Sequence, residues 1–305
     1  MPTGSLPFDS QEPRSKLPRD FSPASQLRYE VACALVASSP PSFGHEAILS
    51  GSAARGVADE ASDIEMVFYV DELPSSTERE KWLWQVGATD FTLGIKSIGD
   101  EQIWMTFFFR DIWVEACWQV TAAHSQKLDA LIAGTVAAPS ALRLGWIMQN
   151  ALSLRGGSLL HQWQYKLQQY PDVLPPAILS SALHYQRFSY FLELPWALIR
   201  RNEQFALVEN LYVEVFNLLR ILFAVNHQWE PDVKWLQAEA HRLKDAPECL
   251  LERIEAIFTV MPLEERVTLY LLLLRDVLAL VALRYDVAEA LLQVQERLHA
   301  HNING

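Results

Sequence analysis

The sequence predicts an α+β protein, with a small mixed sheet domain followed by an all-α helical bundle. Three observations carry that expectation. Short runs rich in Ile, Val, Phe, Trp and Tyr, bounded by Gly, Asp and Pro, crowd residues 44–120 and read as strands. From about residue 140 the apolar residues recur at helical spacing instead. The breakers of that second half, Gly156-Gly157, Pro171, Pro175-Pro176, Pro231, Pro247 and Pro262, fall between the periodic segments rather than inside them.

Taken in order, the first 26 residues are rich in Pro, Ser and charge and have no apolar core of the signal-peptide kind. They read as a flexible lead-in. "ASQLRYEVACALVAS" is a helix, "EAILSG" a strand, and "DIEMVFYV" a second strand followed by the helix "STEREKWLWQVG". "DFTLGIKSI", "QIWMTFFF" and "IWVEACWQV" complete the strands of the sheet. The bundle is expected from "SALRLGWIMQNALSLR", "AILSSALHYQRFSYFLELPWALIRR", "QFALVENLYVEVFNLLRILFAVNHQW", "CLLERIEAIFTV" and the Leu-rich window Val267–Tyr285. The expected division is lead-in 1–26, sheet domain 27–139 and bundle 140–305.

Bulk numbers exclude several function classes. Of 305 residues, 25 are basic and 37 acidic, a net charge of -12 with no basic block. Broad nucleic-acid binding needs clustered Lys and Arg and is not expected. The Leu-rich window carries Arg275 and Asp276 at its centre, a costly placement in a bilayer, so no membrane partner is expected. Three separated cysteines, without a CxxC pair, indicate neither a zinc site nor a disulfide framework. Cytoplasmic location follows as the expectation. No GxxxxGK[ST] phosphate loop occurs.

The chemistry concentrates in "LSGSAARGVADEASDIEMVFYV", Leu49–Val70. In a strand, residues two apart share a face, so Asp63 and Glu65 project together, away from Met66, Phe68 and Val70. Adjacent carboxylates repel unless a positive charge sits between them, and a divalent cation is a common solution. Glu115, inside the apolar run "DIWVEACWQV", is costly to bury unpaired. Beside the first strand it completes a three-carboxylate cup for Mg²⁺. Upstream, Gly51 lets backbone approach a phosphate, Ser52 offers a hydroxyl, and Arg55 lies one helical turn on.

This ordered set resembles the signature of the DNA polymerase β nucleotidyltransferase superfamily, a Gly-Ser followed by Asp-x-Asp or Asp-x-Glu. It is most similar to the small-molecule branch, the aminoglycoside and lincosamide nucleotidyltransferases, which join a minimal nucleotidyltransferase sheet domain to a helical bundle. The motif-level likeness covers roughly residues 45–120. Glu65 stands where many members have Asp, and lincosamide-type members share the Glu.

The resemblance implies that Asp63, Glu65 and Glu115 bind two Mg²⁺ ions, with Glu115 a metal ligand or the general base. It implies that Gly51 and Ser52 hold a nucleoside triphosphate, ATP being the expected donor, and Arg55, by its position, is expected to reach the same phosphates. Two metals about 3.5–4 Å apart would steady both oxygens of an in-line displacement. The acceptor is expected to be a small hydroxylated molecule, antibiotics among the candidates, and the chain a monomer or homodimer. Two alternatives are a nucleotide-binding regulatory protein on the same scaffold and a protein-modifying enzyme of the toxin–antitoxin kind.

In the bundle, Lys234 within "EPDVKWLQ" is either a nucleotide contact, since relatives often carry a similar Lys-Trp segment, or a solvated surface lysine. Glu193, Glu209, Glu214, Glu230 and Asp232 are candidates for a cationic acceptor, against the plainer reading of locally paired helix carboxylates. "HYQRFSYFLELPW" is either an acceptor-pocket lining or ordinary core. Cys117 reads as a small buried hydrophobe.

Overall fold

A computed structural model describes residues 20–92, 94, 101–184, 187–260 and 262–301. The chain divides into two compact units. The first holds the residues up to Thr121 together with Asn150–Leu160, and the second holds Ala122–Gln149 and the residues from His161 onward. The first break thus falls earlier than the expected 139, and a short later segment returns to the first unit.

The first unit is a six-stranded sheet. After helix α1 (Pro23–Ser38) come β1 (Glu46–Ser50), the one-turn α2 (Gly51–Ala54) and β2 (Ile64–Val70). Helix α3 (Ser76–Val86), β3 (Thr89–Thr92), β4 (Gln102–Phe109) and β5 (Ile112–Val120) follow. The strand expected over "DFTLGIKSI" is described only as far as Thr92; residues 93 and 95–100 lie outside the described residues.

"LSLR", read as the end of a helix, is instead β6 (Leu152–Arg155), paired antiparallel with β1 through a register shift. Four residues are too few for periodicity to separate strand from helix. Here tertiary pairing decides. Arg155 donates to the carbonyls of Val36 and Gly44 and to the Ser39 hydroxyl. Glu46 of β1 accepts from the Gly157 and Leu159 N–H groups, at 2.6 and 3.1 Å, and from the Ser158 hydroxyl at 3.0 Å.

The strand order is β3-β4-β5-β2-β1-β6, with β2 and β5 parallel and the other neighbouring strands antiparallel. Alternation gives the sheet two faces. Ala47, Leu49, Ile64, Met66, Phe68, Met105, Phe107, Val114, Ala116 and Trp118 face the core under α1 and α3. The centre of that core is aromatic. Trp118 stacks on Phe68 at 5.5 Å and meets Phe43 and Trp82 edge-on at 5.0 and 6.0 Å. The buried Arg79 guanidinium lies over the same indole at 5.8 Å. Truncating Trp118 to alanine is expected to cost about 3–5 kcal/mol, the range for a buried aromatic. Urea unfolding followed by far-UV circular dichroism checks it, and a loss under about 1 kcal/mol would show that the cluster can collapse around the gap.

The second unit is helical: α4 (Thr121–Ile132), α5 (Pro139–Asn150), α6 (Ser158–Leu167), α7 (Leu174–Ala182), α8 (Phe188–Arg200), α9 (Gln204–Val225), α10 (Leu236–Ala240), α11 (Leu250–Thr259), α12 (Leu263–Val281) and α13 (Ala288–Ala300). Its core gathers Leu211, Leu218, Leu222, Val267, Leu271, Leu274, Leu278 and Val294, all buried. The Leu-rich window is therefore a bundle helix, α12, as its Arg275–Asp276 pair requires. Arg253 and Arg275 both bind Asp276, at 2.8 and 2.9 Å. No helix among the described residues is long and apolar enough to cross a membrane.

Candidate functional site

The sheet face opposite the aromatic core carries the predicted carboxylates. In the parallel pairing, Glu65 of β2 lies directly beside Glu115 of β5. The same row continues to both sides, with Ser50 opposite Glu65 and Thr106 opposite Glu115. Thr92 of β3 pairs in turn with Thr106, their hydroxyls 3.0 Å apart. Asp63 is the residue before β2, two positions from Glu65, and is half-buried like both glutamates.

The Gly-Ser turn abuts this row. Gly51 has a left-handed φ of +68°, and a Cβ there would lie 2.8 Å from the Glu65 carboxyl carbon and 2.9 Å from Oε2. Only glycine lets the chain turn from β1 into α2 with the carboxylate packed against it. Ser50 Oγ donates to Glu65 Oε2 at 3.3 Å. Ser52 is buried in α2, and Arg55 is its C-terminal cap residue.

Hard carboxylate oxygens beside a tight backbone turn are the donor set Mg²⁺ prefers. The side chains are not gathered into a ready cage. Among the described residues no three His, Cys, Asp or Glu side chains are grouped to hold a metal ion. Glu65 is turned toward Ser50 and Gly51, while Glu115 Oε1 accepts a long 3.5 Å contact from Trp113 Nε1. The strands thus put Glu65 and Glu115 side by side on one face, with their carboxylates turned to different neighbours.

Sequence reasoning missed the residues that fix the approach to Asp63. Buried Arg28 of α1 donates from Nε to the Ser62 carbonyl at 2.7 Å and from Nη2 to the Glu60 carbonyl at 2.9 Å. Ser22 Oγ donates to the Ala58 carbonyl, and Ser25 Oγ accepts from the Ala58 N–H. A buried arginine held by backbone carbonyls leaves no trace in composition; an Arg amid the apolar positions of an amphipathic helix was the available signal.

Lys234 belongs to the second unit, exposed within a short 3₁₀ turn, Val233–Trp235, with its own N–H capped by the Asp232 side chain. Of the five acidic bundle candidates, Glu193, Glu214, Glu230 and Asp232 have local roles or partners. Glu193 binds Arg200 and Arg297, Glu230 binds Arg220 at 2.7 Å and Arg143 at 3.6 Å, and Asp232 caps the turn. Glu214 is the exceptional one. It is buried on α9, takes hydrogen bonds from Tyr270 and Asn217, and has Oε1 3.5 Å from His184 Nε2. Burial pushes its carboxyl up to about 7. Cys117 is buried, as expected.

The fold and this face define a mixed α+β protein with an acidic, glycine-flanked row across one side of its sheet. A family profile described as a domain of unknown function, DUF4037, matches residues 143–236, less than half of the chain. No curated protein matches it. Among solved structures, a nucleotidyltransferase-like protein from Exiguobacterium sibiricum 255-15 is similar at 13% identity and a TM-score of 0.41. That likeness covers 91% of this chain and 78% of the other, and is too loose to assign a role to any residue.

Proposed function

We propose that the chain is a Mg²⁺-dependent nucleotidyltransferase that moves a nucleoside monophosphate from a nucleoside triphosphate, ATP first, to a hydroxyl of a small molecule. The observation that carries this reading is the single row in which Glu65 and Glu115 are cross-strand partners and Gly51 packs on the Glu65 carboxylate. Asp63, Glu65 and Glu115 are the residues that would hold the metal, which when bound neutralises charge developing on phosphate oxygens.

The chain's own residues divide the rest of the work. Gly51 brings backbone close enough for a phosphate to approach, and Ser52 and Arg55 supply polar groups to the same anion. Glu115, if left free by the metal, takes the proton of the attacking hydroxyl. The acceptor oxygen forms a bond to the α-phosphorus, the bond to the β-phosphate bridge breaks, and pyrophosphate leaves. Antibiotics belong among the acceptors to be tried.

The test is pyrophosphate release from each of ATP, GTP, CTP and UTP with Mg²⁺ and a hydroxyl panel. Release is expected with at least one pair, and Asp63→Asn with Glu65→Gln together should lower it by about 10³-fold or more, a typical cost for removing charge stabilisation at the reacting centre. Release that is untouched by the double substitution would place the chemistry elsewhere.

A further inference from the structure

The carboxylate row is bordered on one side by aromatic rings that play no part in the core. On β4, Trp104, Thr106 and Phe108 alternate onto the same face as Glu115, and Trp104 is 43% and Phe108 37% exposed. Thr106 stands directly opposite Glu115, Phe108 opposite Trp113, and Trp104 opposite Cys117. Phe108 and Trp113 meet edge-to-face with centroids 4.9 Å apart, and Trp113 Nε1 reaches Glu115 Oε1. Single exposed apolar residues are ordinary on a protein surface. Three aromatic rings bracketing one carboxylate and two threonine hydroxyls form an organised patch.

The topology says which reactant this patch serves. The Gly51–Ser52 turn lies at the end of β1, on the far side of β2 from β5. In an in-line displacement the nucleophile enters opposite the leaving group. With the triphosphate tail toward Gly51, the attacking hydroxyl comes from the β5–β4 side, over Glu115 and Thr106. We infer that Trp104, Phe108 and Trp113 form the acceptor subsite, and that the acceptor carries its hydroxyl on a short arm from a flat aromatic ring. This rests on the nucleotidyl-transfer reading for the direction of attack. Aromatic stacking supplies ring recognition without sequence of hydrogen bonds, and the Thr106 and Thr92 hydroxyls remain to orient the polar arm.

The test uses full-length protein labelled with 5-fluorotryptophan, with the Trp104 and Trp113 resonances assigned by Trp104→Phe and Trp113→Phe. Benzyl alcohol is expected to shift both ¹⁹F signals in a saturable way, and 1-hexanol and methyl glucoside are not. Phe108→Ala, at an exposed position, should weaken the benzyl alcohol titration about tenfold, the lower end for loss of one stacked ring. In turnover it should raise the KM for an aromatic alcohol by a similar factor and leave the KM for the nucleotide unchanged. Equal shifts with hexanol or the glucoside, or no shift with benzyl alcohol, would overturn the subsite. Transfer confined to non-aromatic acceptors would also overturn it while leaving nucleotidyl transfer standing. Specific ring binding with no pyrophosphate release from any pair would leave an aromatic-ring site and overturn its role as an acceptor subsite together with the transfer reading.

Discussion

Gly51→Ala is expected to damage the site through a single added methyl group. Two costs act together. The residue sits at φ +68°, where an L side chain costs roughly 1–2 kcal/mol. The new Cβ would also stand 2.8 Å from the Glu65 carboxyl carbon, inside any real contact distance. Glu65 must then swing away or the β1–α2 turn must open, and either movement separates the phosphate approach from the carboxylates. A misplacement of about 1 Å in a reacting constellation costs about 10²-fold, so transfer should fall at least that far. Stability should drop by only about 1–3 kcal/mol, leaving a folded protein. Pyrophosphate release and a thermal melt on the same preparation separate the two. Wild-type turnover in a folded Gly51→Ala protein would show that the turn does not serve the site.

Much of that turn was legible in the sequence, and the reason is physical. Gly51-Ser52 between an apolar strand and a short helix needs a left-handed residue at one place, and glycine marks it. Strand alternation puts Asp63 and Glu65 together because the side-chain period is two, and the same period sends Met66, Phe68 and Val70 into the core. The pairing of Glu65 with Glu115 spans fifty residues and depends on a parallel register, which no local pattern encodes. The β6 segment was misread for a related reason. Leu152 and Leu154 satisfy both periods over so short a run, and only pairing with β1 decides.

The rotamers of the carboxylates were beyond reach too. Their present directions come from Ser50, Gly51 and Trp113, neighbours in space rather than in sequence. In the bundle, helical periodicity marked the core of α9 and α12 but did not single out Glu214 among its acidic neighbours. What distinguishes it is Tyr270, on a different helix, and His184, at the left-handed turn after α7.

Glu214 gives the second large effect, and its sign is opposite to that of an ordinary carboxylate. Burial is the main cause of its high pKa; hydrogen bonds from Asn217 and Tyr270 pull the other way without cancelling it. The facing His184 is held below its usual value, by burial first and by the Arg187 charge second, so it is a poor source of a compensating proton. With a folded pKa near 7 against 4.5 unfolded, the folded state holds the extra proton through that interval. Stability is therefore greatest below about pH 4.5 as far as this group is concerned, and it falls as pH rises until the carboxylate is fully charged above 7. The interval is worth about 3 kcal/mol.

Glu214→Gln removes the titration and keeps the shape. It should match wild type near pH 4.5 and exceed it by about 3 kcal/mol at pH 8. His124, buried against Trp163 and lowered to about 4 by burial and then by Lys127, acts with the opposite sign. Its contribution is lost as pH falls from 6.5 toward 4. The two slopes oppose each other between pH 4.5 and 6.5 and leave that stretch nearly flat. Urea midpoints of wild type and Glu214→Gln across pH 4.5–8 make the measurement. Parallel curves would mean that Glu214 stays charged throughout, with His184 or water carrying the proton that burial demands.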